Sequence, residues 1–241
     1  TNILFSAICF MGALINVDVA LVNLIPDPQV ALLIDRGTYL FFVFSPFVYI
    51  KFVHSFLSIT TRKVLEYTTL AVGFLFLFLV PTDLFISGFA EFAWGTIAQA
   101  GKAFSLFSLV CVATVLYCLW TLWEGIRRSQ SNQQKNRIKY ILGGLGMSSF
   151  VLALDFLPVN GIDVYPLGNF SFIPALVLGV GVLKYDLLDM GAAIRRWAVY
   201  FSLTAVLTIV YFLFISALNV LFIDSAWKHT VLLPMLLAML M

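Results

Sequence analysis

Charge is scarce in this chain of 241 residues, of which only 11% are charged while 62% are hydrophobic. A soluble domain carries roughly 25% charged residues, so this composition excludes a protein whose whole surface faces water. Several apolar runs approach the ~20 residues that a helix needs to cross about 30 Å of hydrocarbon. The sequence therefore predicts an all-α fold, a polytopic transmembrane helix bundle.

Cysteine and histidine are scarce as well, with three Cys and two His in the chain. The cysteines lie within apolar runs, so we interpret them as small buried hydrophobic residues and not as a disulfide or metal framework. His54 and His229 are expected on opposite sides of the membrane and cannot share a site. The motifs HExxH and GxSxG and the phosphate-binding Walker loop do not occur. We expect no catalytic site, no metal and no cofactor in this chain.

Seven complete apolar spans and one partial span follow each other along the chain. They are predicted to be helices because they are too long and unalternating for barrel strands, and because a backbone in lipid must satisfy its own hydrogen bonds. In chain order the spans cover 3–25, 37–59, 65–86, 101–124, 138–157, 170–186, 197–223 and, in part, 230–241. No signal peptide is predicted at Thr1, and the last run is cut short, so we expect both ends to be boundaries of a fragment.

The basic residues predict the orientation of the spans, since Lys and Arg concentrate in cytoplasmic loops. One set of alternate loops holds ten of the fourteen basic residues, and the other set holds only Arg36, Lys102 and Lys228. The richer set is predicted to be cytoplasmic, and it comprises 60–66, 125–139 and 184–196. The outer loops are predicted to be short turns with no room for a folded domain, at 26–36, 87–101 and 158–169.

Polar side chains within apolar spans are costly and therefore mark candidate sites. Asp18, Asn23, Asp83 and Asp155 all fall in the outer halves of their predicted helices, where a pocket open to the outside would lie. We interpret these four as candidate ligand-binding residues. For Asp83 and Asp155 the sequence leaves open the alternative that they cap helix ends and face interfacial water.

Lys51 and His54 are three residues apart and so share one face of the second span. They are compatible with a proton relay or a counter-ion pair. We favour the alternative in which Lys51 reaches the cytoplasmic interface and His54 bonds a carbonyl there. A transporter or channel subunit that uses Asp18, Lys51 and His54 as a polar pathway is the alternative function. Such proteins usually show broken helices or repeats around a midplane site, and the sequence indicates neither.

Parts of the chain resemble the N-terminal seven-transmembrane sensor region of bacterial histidine kinases and related diguanylate cyclases. NRIKYILGGLGMSSFVLALDFLPVNGIDVYPLGNF, followed by IPALVLGVGVLKYDLLDMGAAIRR, is similar to that family's last two helices, and FVFSPFVYIKFVHSFLSI is similar to its third. The resemblance covers 1–196 and implies one further helix before Thr1. Residues 197–241 then form an additional, truncated transmembrane hairpin, as in members with a nine-helix sensor.

The resemblance implies a sensor that binds a small molecule from the outer side and relays the signal to a cytoplasmic output domain in the same chain. It also implies a homodimer in the bilayer of a bacterial inner membrane, and nothing indicates a nucleic-acid partner. The charged segment from Val182 to Arg196 marks the junction between the sensor module and the hairpin. We interpret its charges first as topology determinants that hold the segment at the cytoplasmic face. The candidate signal-relay residues are the same side chains, namely Lys184, Asp186, Asp189, Arg195 and Arg196.

Overall fold

The computed structural model of the chain describes residues 2–185, and this part is mostly helical. Four of its segments are long and apolar enough to cross a membrane, and they indicate a membrane protein. These segments are Asn2–Leu24, Pro28–Phe56, Lys102–Arg128 and Asn132–Val159. The predicted spans at 197–223 and 230–241 lie outside the described residues, so the total of seven complete spans stays a prediction.

The helices overlap every predicted span between 3 and 186, although their ends differ. In chain order they are α1 (Asn2–Leu24), α2 (Pro28–Phe42), α3 (Ser45–Phe56), α4 (Lys63–Leu79), α5 (Lys102–Arg128), α6 (Asn132–Leu154), the single turn α7 (Phe156–Val159) and α8 (Phe172–Tyr185). A 3-10 turn, Leu167–Phe170, precedes α8. The predicted span 65–86 is helical only as far as Leu79, where the chain turns towards two strands.

The predicted span 37–59 differs most, because helix begins at Pro28 and is interrupted at Val43 and Phe44. Asp27 caps α2 by accepting a 2.9 Å hydrogen bond from the amide of Gln29, and proline is well tolerated in the first turn that follows. Pro46 lies in the first turn of α3 and has no amide hydrogen to donate to α2, so one continuous helix cannot form. Residues 28–36, which were predicted as part of an outer loop, belong to helix α2.

A β-hairpin occupies most of the segment 87–101, which was predicted to be a short turn. Strands β1 (Ile86–Phe92) and β2 (Gly95–Ala100) pair antiparallel, with Phe92 opposite Gly95 across a two-residue turn. The prediction of an all-α fold holds for the helices but missed this hairpin. The strands are short and contain glycine, so they give only a weak alternating pattern.

The hairpin distinguishes two ends of the bundle. The hairpin end contains the C-terminal end of α1 and the start of α2, and the opposite end, named here the His54 end, contains the loops after α3 and α5. An aromatic core lies under the hairpin, where the buried rings of Phe76, Phe85, Phe104 and Phe107 meet mostly edge to face or tilted, with centroids 5.3–6.1 Å apart. Such ring pairs stabilise beyond the area they bury, so this core fixes the hairpin on α4 and α5.

Candidate functional site

A small polar cavity of ≈ 70 Å³ lies at the hairpin end, between α1, α2 and α6 and against β2. Three carboxyl groups line it, those of Asp18, Asp35 and Asp155, together with the polar side chains of Asn16 and Thr38. None of its described lining residues is Lys, Arg or His. We name this space the carboxyl cavity, and its acidic lining makes it the candidate site.

Helix α1 directs Asp18 towards the interior. Only three of its 23 residues are buried, namely Ile8, Asp18 and Val22. One of the three side chains that pack this helix against the bundle is therefore a carboxylate. Oγ1 of Thr38 in α2 donates a 3.2 Å hydrogen bond to Oδ1 of Asp18. In water a carboxylate accepts several hydrogen bonds, whereas here a single hydroxyl donates to Asp18. Burial of its charged form therefore costs free energy.

Asp35 lies opposite Asp18, on the buried face that α2 forms with Ala31, Asp35 and Thr38. Its residue is 3% exposed, and its carboxyl group is within hydrogen-bonding reach of the Asp18 carboxyl group. Oδ2 of Asp35 has no hydrogen-bond partner among the described residues. Two ionised carboxylates this close repel each other, so the pair requires a proton or another positive charge.

Arg36 follows Asp35 in sequence but is turned towards the base of the hairpin. Its guanidinium donates to Oδ1 of Asp83 at 2.6 Å, to the carbonyl of Pro81 at 2.9 Å and to the carbonyl of Ile86 at 2.6 Å. Asp83, predicted as a ligand-binding residue beside Asp18, belongs to this ion pair and has a side chain that is 84% exposed. It does not line the carboxyl cavity.

Asn23, also predicted as a ligand-binding residue, holds the hairpin in place and does not line the cavity. Its Nδ2 donates to the carbonyl of Thr96 at 3.2 Å, and its Oδ1 accepts from the amide of Thr96 at 3.1 Å. Gly95 has a φ of +144°, and a Cβ atom there would lie 3.0 Å from Oδ1 of Asn23. Since Thr96, Ile97 and Ala98 line the cavity, this pair of bonds fixes the cavity wall that β2 provides.

Asp155 supplies the carboxyl group on the α6 side of the cavity. Its Oδ1 accepts a 2.7 Å hydrogen bond from the amide of Gly168, and a Cβ atom at Gly168 would lie 1.7 Å from its Oδ2. Only glycine therefore permits this approach. The alternative interpretation, helix-end capping, does not describe Asp155, because its side chain makes no capping hydrogen bond at the start of α7.

A second polar cluster lies at the His54 end and joins three helices. Nδ1 of His54 is 2.9 Å from Oε1 of Glu66, and its Nε2 is 2.8 Å from the hydroxyl of Tyr117. Lys51 donates to Oε2 of Glu66 at 3.0 Å, and Arg62 donates to the hydroxyl of Tyr117 at 3.0 Å. We name these five residues the His54 cluster. The predicted bond from His54 to a carbonyl is wrong, since its ring contacts a carboxylate and a phenol.

One arrangement of hydrogens satisfies the hydrogen bonds of the His54 cluster. With the ring hydrogen of His54 on Nδ1, the ring donates to Glu66 and accepts from the hydroxyl of Tyr117. The oxygen of Tyr117 then accepts from Arg62, and Lys51 donates to the second oxygen of Glu66. Each of these bonds has a donor and an acceptor, so the cluster does not require a bound ligand.

An apolar cleft of ≈ 240 Å³ lies beside the break between α2 and α3. Phe42 and Pro46 line it at the break, and the remaining wall comes mainly from α5 and α6. Leu116 and Phe150 line it as well and are exposed, so the cleft opens onto the apolar surface of the bundle. Leu152 lines both the cleft and the carboxyl cavity, which makes the two spaces neighbours.

No family model, curated protein or solved structure matches this chain. The resemblance to the seven-transmembrane sensor region therefore stays a prediction that rests on the residues quoted for it. The geometry of the two polar clusters carries the functional interpretation.

Only one of the candidate signal-relay residues lies in the part of the chain that the structure describes. Lys184 falls in α8, and the other candidate signal-relay residues, Asp186, Asp189, Arg195 and Arg196, lie outside the described residues. Among the residues that are described, no group of three or more His, Cys, Asp or Glu side chains is arranged to hold a metal ion.

The sequence analysis missed Asp35 and Glu66 as members of the two clusters. For Asp35 a signal was present, since an Asp-Pro pair is typical of a helix start and would have placed residues 28–36 in a helix. Asp35 then follows Ala31 by one helical turn and shares its buried face. For Glu66 we find no comparable signal, because its partners belong to another helix.

Proposed function

We propose that the chain is the membrane sensor region of a bacterial signal-transduction protein and that the signal binds in the carboxyl cavity. One observation carries the proposal: carboxyl groups from α1, α2 and α6 meet in one cavity without a basic side chain among its described lining residues. The predicted orientation places the hairpin end outside the cell, so the signal is a small solute that arrives from there. Intramembrane carboxylates of this kind are functional candidates by default.

The segment Pro28–Phe56 supports a route from the cavity to the opposite end of the bundle. Asp35 and Thr38 lie near one end of it, whereas Lys51 and His54 lie near the other and belong to the His54 cluster. About 28 Å of helix separates Asp35 from His54. The break between α2 and α3 gives this segment a place to bend, and the apolar cleft beside the break leaves room for movement.

A ligand acts through this route only if it binds one packing of the helices more tightly than another. In the proposed mechanism, positive charge in the carboxyl cavity relieves the repulsion between Asp18 and Asp35 and lets α1 and α2 approach each other. The resulting movement of α3 reaches α4 and α5 through the bonds of His54 to Glu66 and Tyr117. The carboxyl cavity thereby receives the signal, and the His54 cluster passes the movement of Pro28–Phe56 on to the neighbouring helices.

The output domain and the dimer belong to the proposal through the sequence resemblance. We propose that a histidine kinase or diguanylate cyclase domain follows the last transmembrane helix and that the chain acts as a homodimer in the inner membrane. The complete reading frame tests this part. A dimerisation helix with a phosphoacceptor histidine and an ATPase domain, or a cyclase domain, supports it, and a reading frame without an output domain contradicts it.

The site is tested in the full-length protein, reconstituted in liposomes with the hairpin end on the outside. Output activity is measured while salts and small amines are varied outside. We expect Asp18→Ala and Asp155→Ala to weaken or abolish the response, whereas Asp83→Ala, which removes a carboxylate at the same end but outside the cavity, leaves it intact. Unchanged responses in both cavity variants would show that the signal binds elsewhere.

Transport is a second candidate function, and the break between α2 and α3 favours it. Interrupted helices near the membrane midplane often form transporter sites. A pathway through Asp18, Lys51 and His54 would have to cross the break, where the apolar cleft has hydroxyl side chains such as Ser45 but no charged side chain among its described lining residues. Uptake of radiolabelled sodium or of protons by the same liposomes separates the two functions, because a sensor carries no flux.

A further inference from the structure

We infer that the carboxyl cavity binds one small monovalent cation between Asp18 and Asp35. The inference rests on the proposed function for this site and names the chemical class of its ligand. Its starting point is Asp35, a residue that is 3% exposed, lines the cavity and has no hydrogen-bond partner for Oδ2 among the described residues. A buried carboxylate oxygen without a donor is costly unless a ligand or a proton satisfies it.

None of the described side chains that line the cavity around Asp35 carries a positive charge. Helix α1 contributes Asp18, α6 contributes Asp155, and Tyr39 lies one turn after Asp35 on α2 itself. Strand β2 contributes no charged side chain to the cavity. Arg36 is the nearest basic residue in sequence and its charge acts on Asp35, but its guanidinium is bound to Asp83 and two carbonyls and does not line the cavity. A bound cation therefore supplies charge that the described lining residues do not.

The size of the cavity and the oxygen ligands that it offers favour a monovalent cation. Its ≈ 70 Å³ is far below the roughly 300–1,000 Å³ of pockets that hold drug-sized ligands, so it suits a small ion or group. Mg²⁺ keeps several waters in an octahedron, and Ca²⁺ takes about six to eight oxygen ligands. Within residues 2–185 no group of three or more acidic, His or Cys side chains is placed to hold such an ion. Oxygens of Asp18, Asp35 and Thr38 suit an ion or a group that needs only a few contacts.

Two ligands share this chemistry, an alkali metal ion and the primary ammonium head of a small amine. An ammonium group has three hydrogens to donate, and Asp18, Asp35 and Thr38 offer three acceptor side chains. Sodium and methylammonium are therefore the two probes. Choline is the matched control, because it carries the same charge but is larger and has no N–H group.

The experiment measures the thermal unfolding of the full chain in lipid nanodiscs. Sodium chloride and methylammonium chloride are each titrated against choline chloride at constant ionic strength. Sodium or methylammonium is expected to raise the unfolding midpoint by about 2–4 °C, and the rise saturates as one site fills. Whichever of the two acts more strongly identifies the source of the charge, and binding of radiolabelled sodium gives the stoichiometry, expected to be one per chain.

Variants assign the effect to the carboxyl pair. Asp35→Asn keeps the size of the side chain and removes its charge, so the cation-dependent rise is expected to disappear. Thr38→Val removes one oxygen and is expected to weaken cation binding. Asp83→Asn removes a carboxylate that lies outside the cavity and is expected to retain the full rise.

Three results would overturn the inference. The first is an unfolding midpoint that is the same in sodium, methylammonium and choline. The second is a cation-dependent rise that persists in Asp35→Asn. The third is a midpoint that follows pH and ignores the cation, which would mean that a proton alone bridges Asp18 and Asp35. If Asp35→Asn does not fold, sodium binding to the wild-type chain and to Thr38→Val decides the question.

The same measurements separate this inference from the sensor function. Cation binding without a change in output activity would contradict the sensor function and leave the cation site standing. An output that responds to other solutes, in a chain that binds no cation, would contradict the cation site alone.

Discussion

At the His54 end of the bundle, Lys51 and His54 both bind the single carboxylate of Glu66, and Arg62 joins the cluster through Tyr117. At the hairpin end, the carboxyl groups of Asp18 and Asp35 meet without a basic side chain among the described lining residues. Both clusters lie among apolar helices, and Pro28–Phe56 contributes residues to each. In the His54 cluster the donors and acceptors match. In the carboxyl cavity an oxygen of Asp35 has no partner among the described residues.

This difference separates a cluster that stabilises the fold from one that we propose to bind a ligand. A buried polar group costs free energy unless it is hydrogen-bonded, so a matched cluster can hold helices together while an unmatched one weakens the fold. Natural proteins keep such unfavourable groups mainly where function depends on them. Removal of a carboxylate from each of the two clusters should therefore change the free energy of unfolding with opposite signs.

Glu66→Leu is expected to cause the largest loss of stability. It leaves Nδ1 of the buried His54 without its acceptor and Lys51 without its counter-charge. Removing one partner of a fully buried pair costs about 3–5 kcal/mol, and because the Lys51 side chain is 46% exposed we expect about 2–3 kcal/mol. The free energy of unfolding in detergent, measured by chemical denaturation, checks this value.

Glu124→Leu is the matched control for Glu66→Leu. It removes the ion pair that Glu124 forms with Arg128 one helical turn later, where the Arg128 side chain is 77% exposed. Exposed pairs of this kind contribute at most about 0.5 kcal/mol. Equal losses in the two variants would contradict the structural role of the His54 cluster.

Asn23→Ala is expected to have the next largest effect and to act on the wall of the carboxyl cavity. Two neutral hydrogen bonds to Thr96 are lost at an exposed position, which should cost about 1 kcal/mol. Hydrogen exchange at the amide of Thr96 should accelerate, because Asn23 accepts from that amide. Ser87→Ala is the control, since it removes a bond within the hairpin and leaves the link to α1 in place. Unchanged exchange at Thr96 would show that Asn23 does not hold β2.

Asp35→Asn is expected to stabilise the chain by about 1 kcal/mol when choline is the only added cation. The amide removes the repulsion between two carboxyl groups and can donate a hydrogen bond to Asp18. Denaturation in choline chloride gives the sign, which is opposite to that of Glu66→Leu. A loss as large as that of Glu66→Leu would mean that both clusters stabilise the fold, and the distinction between the two ends would fail.

The positions of the longest helices could be predicted from the sequence, but the rotation of the helices about their axes could not. Long apolar runs place α1, α5 and α6 within a few residues, except that α6 begins six residues before its predicted span. The position of α2 was missed because charged residues and prolines in 26–36 are also typical of loops. The hairpin was missed because its strand pairing depends on contacts with α1 and the aromatic core.

The candidate site was predicted in part for the same reason. The predicted topology put Asp18 and Asp155 at the same end of the bundle, and the structure places both on one cavity. The direction of a side chain depends on helix rotation, which apolar runs do not specify. Asn23 follows Asp18 by five residues and so points about 140° away from it around α1. Asp83 lies beyond the end of α4, where Arg36 binds it.

Asp83→Asn is expected to have the smallest effect, about 0.5 kcal/mol or less, even though its bond to Arg36 is only 2.6 Å long. Asp83 is 84% exposed, so water solvates most of its carboxylate in the folded chain. Arg36 also keeps its bonds to the carbonyls of Pro81 and Ile86, which hold its guanidinium at the base of the hairpin. The unfolding midpoint and the cation titration should both match those of the wild type.

A larger effect of Asp83→Asn on the cation response would change the interpretation of the hairpin end. Loss of the response would mean that Arg36, once freed from Asp83, turns towards Asp35 and supplies the missing charge itself. The charge of the carboxyl cavity would then depend on the position of Arg36, and the two carboxylates at this end would be coupled through it. The double variant Asp83→Asn with Arg36→Gln separates these cases, because a restored response would identify Arg36 as the competing cation.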